Sequence, residues 1–114
     1  MKLDILGEKY KVKETNGEQY EKFEADGFCE WWAKEIHIKD DIGEQKEDCL
    51  MNMKEYRNNT IRHEIVHAFL FESGMKKYER DEEIVEWIAR NILKINEQCE
   101  KAIKGLSNNK GERC

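Results

Sequence analysis

The chain has 114 residues, of which 39% are charged, and a formal net charge of −5. That length gives room for one domain with a modest core. The acidic balance leaves no basic patch for nucleic acid or an acidic membrane surface, and no apolar run is long enough to span a bilayer.

Lys2 to Leu6 and Lys9 to Lys13, separated by Gly7-Glu8, set Leu3 and Ile5, then Tyr10 and Val12, in alternation with charged residues and predict a β-hairpin. Asn16-Gly17 is the next turn signal, and Glu18 to Glu24 fits a helical turn or a loop equally well. Phe28 to Trp32 reads as a strand from its aromatic content, and Glu35 to Lys39 as another, with Ile36 and Ile38 on one face and His37 on the other. Asp40 to Cys49 is dense in charge and reads as a loop beside the site.

A long helix is expected from about residue 52, with Asn59 or Thr60 as the cap if it starts later, and with Gly74 at its C′ position. Its apolar residues from Ile61 to Phe71 occupy almost the whole circumference, so it belongs in the middle of the domain. Met75 to Arg80 reads as a connector. Asp81 then opens a last helix in which Ile84, Ile88, Ile92, Ile95, Cys99 and Ala102 form a stripe expected to face the core. The expected whole is a single α+β domain over residues 1–106: a small, mainly antiparallel sheet, then two long helices, with 107–114 as a flexible tail.

The chemistry sits in His63-Glu64-Ile65-Val66-His67. Residues four apart stack one turn above each other on a helix, so both imidazoles point the same way and supply two ligands for a catalytic zinc ion. Glu64, directly after the first histidine, lies close enough to act as general base on a water at the metal. Without a metal, the two histidines would instead be hydrogen-bonded core residues, with Glu64 on the helix surface. The metzincin extension is absent, because Leu70 and Ser73 stand where its glycine and third histidine belong.

No histidine follows His67, so the third ligand is expected to be a carboxylate. Glu72 lies on the same helix, facing away from the histidines. On the last helix Glu82 and Glu86 project at the margin of the buried face and Glu83 toward solvent. Glu82 is therefore the expected ligand, and Glu86, one turn on, the carboxylate expected to hold a ligand histidine by a hydrogen bond. Glu79, Asp81 and His37 are next in line as ligands. Tyr56, Tyr78 and His37 are equal candidates for a donor to the carbonyl oxygen.

His63-Glu64-x-x-His67 followed by Glu82-x-x-x-Glu86 resembles the gluzincin pattern, and the order of parts is similar to the small zincin-like peptidases of bacteria and phages, including the ImmA/IrrE-like group. The resemblance covers Phe28 to about Leu93. It implies a zincin-like fold and a zinc-dependent peptidase whose substrate is a protein or peptide, such as a regulatory protein. The competing expectation is a non-catalytic protein-binding module that uses Trp31, Trp32 and Trp87. Met1 to Asp4 lacks the apolar segment of a secretion signal, so the expected location is the cytoplasm. Cys29, Cys49, Cys99 and Cys114 form no Cys-x-x-Cys pair and are expected to be independent reduced thiols.

Overall fold

A computed structural model describes residues 1–16, 26–42, 44–45, 47 and 52–108. The expectations for Gly17 to Glu24, Cys49, Cys114 and residues 109–114 lie outside the described residues. The protein is α+β: strands β1 (Lys2–Ile5), β2 (Glu8–Thr15), β3 (Gly27–Glu30) and β4 (Glu35–Lys39) form one sheet, followed by helices α1 (Met53–Glu72), α2 (Lys76–Glu79) and α3 (Glu82–Asn108).

The strand order is β1-β2-β4-β3. Both outer pairings are antiparallel, as expected, but the central β2–β4 pairing is parallel, so the sheet is mixed. The β1–β2 hairpin closes through Leu6 and Gly7, both at positive φ, the handedness that matches strand twist in a two-residue turn. Asp4 Oδ1 accepts the Gly7 N–H at 2.8 Å and holds that turn. Strand β3 stops at Glu30. Trp31 and Trp32, expected at its end, belong to the turn that carries the chain into β4.

Helix α1 starts where the one-helix expectation puts it. Asn52 is its N-cap, accepting the Glu55 N–H, so Asn59 and Thr60 are interior residues. Its end is a Schellman arrangement: Met75 N–H bonds to Leu70 O and Gly74 N–H to Phe71 O, with Gly74 at φ +75°.

The nearly all-round apolar surface of α1 has two partners. Ala68, with Ile61 and Ile65, packs on Ile5, Tyr10, Ile36 and Ile38 of the sheet. Val66 and Leu70 pack on Val85, Ala89 and Ile88 of α3. Gly27 permits the close approach of β3 to α1: a Cβ there would meet His37 O at 3.0 Å and Thr60 Cγ2 at 3.2 Å.

The expected core-facing stripe of α3 needs correction. Val85 and Ala89 are buried and Ile84 and Ile88 half-buried, but Ile92, Ile95, Cys99 and Ala102 are exposed. The body of the domain ends beside the first turns of α3, and the helix projects beyond it, which contributes to a molecule 63 Å long and 27 Å thick. Ser107 and Asn108, expected in a tail, are the last residues of this helix.

Candidate metal centre

The i, i+4 spacing on α1 sets His63 Nε2 and His67 Nε2 3.2 Å apart. The turn after α1 and the one-turn α2 bring the chain back. Asp81 then caps α3, its Oδ1 accepting the Glu83 and Ile84 N–H groups. This places Glu82 on the histidines: Oε2 lies 2.8 Å from His63 Nε2 and Oε1 lies 3.0 Å from His67 Nε2. His63, His67 and Glu82 each offer a ligand atom, all within 4.8 Å of one another. Tetrahedral zinc with bonds of about 2.0–2.1 Å requires ligand atoms about 3.3 Å apart, close to these separations.

The proton inventory also favours a cation. His67 Nδ1 faces Glu79 Oε1 at 3.1 Å, and both side chains are buried. A carboxylate at that nitrogen holds the proton on Nδ1 and leaves Nε2 as a bare lone pair. That lone pair points at His63 Nε2 and at the Glu82 carboxylate. In the neutral form in which histidine binds a metal, at most one proton, on His63 Nε2, is left for three groups that all present acceptors. A metal ion at their convergence satisfies them together.

Glu79 is the residue the helix wheel undervalued. It appeared only as a reserve ligand; here it is 3% exposed and supports His67 from behind. No periodicity in the sequence signals it, because its position depends on the path of the chain between two helices. Glu86 does not take the hydrogen bond expected of it. Its Oε2 stays 3.6 Å from His63 Nδ1, while its Oε1 accepts from Asn59 Nδ2 at 2.7 Å. Glu82 is more open than its place on the wheel suggested, with a side chain 68% accessible, because it reaches into a cleft and not into packed core.

Glu64 is 7% exposed and lines the same cleft of about 730 Å³ as His63, His67 and Glu82. Burial pushes its carboxyl up to about 7; His63 pulls it down, while the charges of Glu82 and Glu86 push it further up. Of the sheet, Gly27, Phe28 and Cys29 line the cleft, and β3 is the outer strand on that side. Strand β4 lies inside the sheet between β2 and β3.

Of the oxyanion candidates, Tyr56 lines the cleft and donates to Asp26; that bond, reinforced by burial, pushes its phenol up to about 12. Tyr78 is exposed outside the cleft. His37 stacks on Phe28, lies 3.0 Å from Thr15 Oγ1 and 2.9 Å from a Glu35 oxygen, and is no part of the metal cluster. Glu72 lies apart from the histidines, as expected, bound to Tyr10 and Lys34.

No family model, no curated protein and no solved structure matches the chain. Among the described residues, no helix is long and apolar enough to cross a membrane.

Proposed function

We propose that the protein is a zincin-like, zinc-dependent peptidase. The observation that carries this reading is the convergence of His63, His67 and Glu82 in one cleft that also holds the buried Glu64. His63, His67 and Glu82 would hold the metal, and Glu79 keeps His67 in the tautomer that presents Nε2. A bound Zn2+ supplies Lewis acidity, polarising the scissile carbonyl and making water more acidic.

The protein's own groups do the rest. Glu64 accepts a proton from the attacking water as the new C–O bond forms, and delivers it to the amine nitrogen as the C–N bond breaks. A carboxyl that titrates near neutrality suits both transfers. Strand β3 lines the cleft through Gly27, Phe28 and Cys29, which makes it the strand along which an extended peptide would lie. The substrate class that fits is a protein segment presented as an extended strand, consistent with a regulatory protein in the role the family resemblance implies.

A second reading, a binding module without hydrolysis, draws on Trp32 and Trp87, which are 86% and 59% exposed. A cleavage assay on a library of extended peptides, run on zinc-loaded parent and Glu64→Gln, separates the two. The expected result is cleavage by the parent, reduced about a hundredfold or more in Glu64→Gln with zinc content unchanged. Stoichiometric zinc with no cleavage of any peptide would favour the binding module.

A further inference from the structure

From Val85 to Leu106, α3 carries an unbroken heptad pattern. Val85, Ile92, Cys99 and Leu106 occupy the a positions, and Ile88, Ile95 and Ala102 the d positions. Every charged residue in this stretch, from Glu86 to Lys104, falls on b, c or f. The flanking g positions are Asn91, Gln98 and Gly105, and the e positions Ala89, Asn96 and Ile103, all uncharged.

The start of this seam is already in use. Val85 and Ala89 are buried against Val66 of α1, while Ile88 keeps a half-exposed side. Beyond the end of that contact the seam continues without cover: Ile92 is 44% exposed, Ile95 47%, Ile103 57% and Leu106 55%.

We propose that this face is a dimer interface, on which α3 of a second copy lies antiparallel. The charge pattern selects a second copy. A different protein partner would be chosen by charges at e and g, and there are none. Identical antiparallel helices bring each flank against itself, where any charge would meet its own sign; neutral flanks remove that penalty.

The layers also match. With the two-fold axis at the level of Glu97, Ile95 faces Cys99 of the second copy, Ile92 faces Ala102 and Ile88 faces Leu106. Both layers nearest the axis set an isoleucine against a smaller side chain, so they interdigitate. On the flanks, Asn96 and Gln98 each meet their own counterparts. A membrane surface fits less well, because the polar face sets Arg90, Lys94, Lys101 and Lys104 against Glu86, Glu97 and Glu100, without a basic excess of the kind such helices carry.

Sedimentation equilibrium on the full chain, with zinc and with chelator, tests this independently of the metal centre. The expected mass is twice 13.7 kDa in both conditions. Ile95→Lys is expected to give a monomer of unchanged helix content by circular dichroism, since in a single copy the lysine meets solvent. Glu97→Lys, on the outer face, is expected to stay a dimer. Gln98→Glu and Gln98→Lys should each weaken the dimer, and an equimolar mixture should associate more tightly than either alone. A monomeric parent at the highest soluble concentration, whether or not it pellets with anionic vesicles, or a dimer that survives Ile95→Lys, would overturn the interface. A mixture no tighter than its components would overturn the antiparallel register.

Discussion

Helix α1 carries two glutamate-containing polar clusters, one at its C-terminal end and one near its middle, and they are built on opposite principles. At the C-terminal end, Glu72 Oε2 accepts from the Tyr10 hydroxyl and from Lys34 Nζ. Lys34, held at φ +57° in the β3–β4 turn, also stands 5.5 Å from the ring centres of both Tyr10 and Phe71. Burial raises the Glu72 carboxyl, but these two donors outweigh it and hold the carboxyl below its ordinary value. Donors and acceptors balance there, so the cluster is finished by the chain itself.

Near the middle of the helix, His63, His67 and Glu82, backed by Glu79, bring acceptors together with too few protons to share. The difference separates two uses of a partly buried carboxylate. One closes a corner of the fold; the other leaves a charge deficit that a cation can fill.

The sharpest way to break this comparison is the pair Glu82→Gln and Glu83→Gln. Glu82→Gln is expected to abolish stoichiometric zinc binding, read by atomic emission after dialysis, because it exchanges an anionic ligand for a weak neutral one. Glu83→Gln, about 100° round the same helix, is expected to leave zinc content intact. Zinc lost from Glu83→Gln and kept by Glu82→Gln would reassign the ligand.

Glu79→Gln is the next largest effect. Weakening the carboxylate behind His67 should cost about 10- to 100-fold in zinc affinity, measured by competition with a chromophoric chelator. An unchanged affinity would reduce Glu79 to a packing residue.

The metal-free protein offers a pH test of the same cluster. Glu64 has a folded value of about 7 against an ordinary 4.5, so the folded state binds the extra proton between those values. Stability from this group is present below pH 4.5 and is lost as pH rises through 7, by about 3 kcal/mol in total. Glu64→Gln should remove that slope from urea-unfolding free energies measured in chelator between pH 5 and 8. A parent and variant with parallel pH profiles would contradict it.

The smallest effect belongs to the finished cluster. Glu72→Gln should lower stability by about 1–3 kcal/mol through weakened bonds to Lys34 and Tyr10, with no change in zinc content. A fall in zinc content would mean that the two clusters are coupled through α1.

Much of this was legible in the sequence, for a local reason. The apposition of His63 and His67 follows from helix geometry alone, since four residues make about one turn whatever surrounds them. The long α1, its end at Gly74 and the opening of α3 at Asp81 follow likewise from caps and turn residues acting within a few positions. Helix phase also separated Glu82 from Glu83, and strand alternation Ile36 and Ile38 from His37.

What the tertiary structure decided was everything that depends on what stands opposite. Glu79 stands at hydrogen-bond distance behind His67, and Glu86 just beyond it behind His63, because of how the short connector folds back. Strand β4 went inside the sheet and β3 to its edge because β2 pairs parallel with β4, a long-range choice that no alternation of residues encodes. The isoleucine stripe of α3 shows the division most plainly. Its period specifies a face to be covered, but Val85 is buried and Ile95 is not because α1 reaches the first and stops short of the second. A helix's own residues fix which side is apolar; only the neighbouring chain fixes how far along that side is hidden from water.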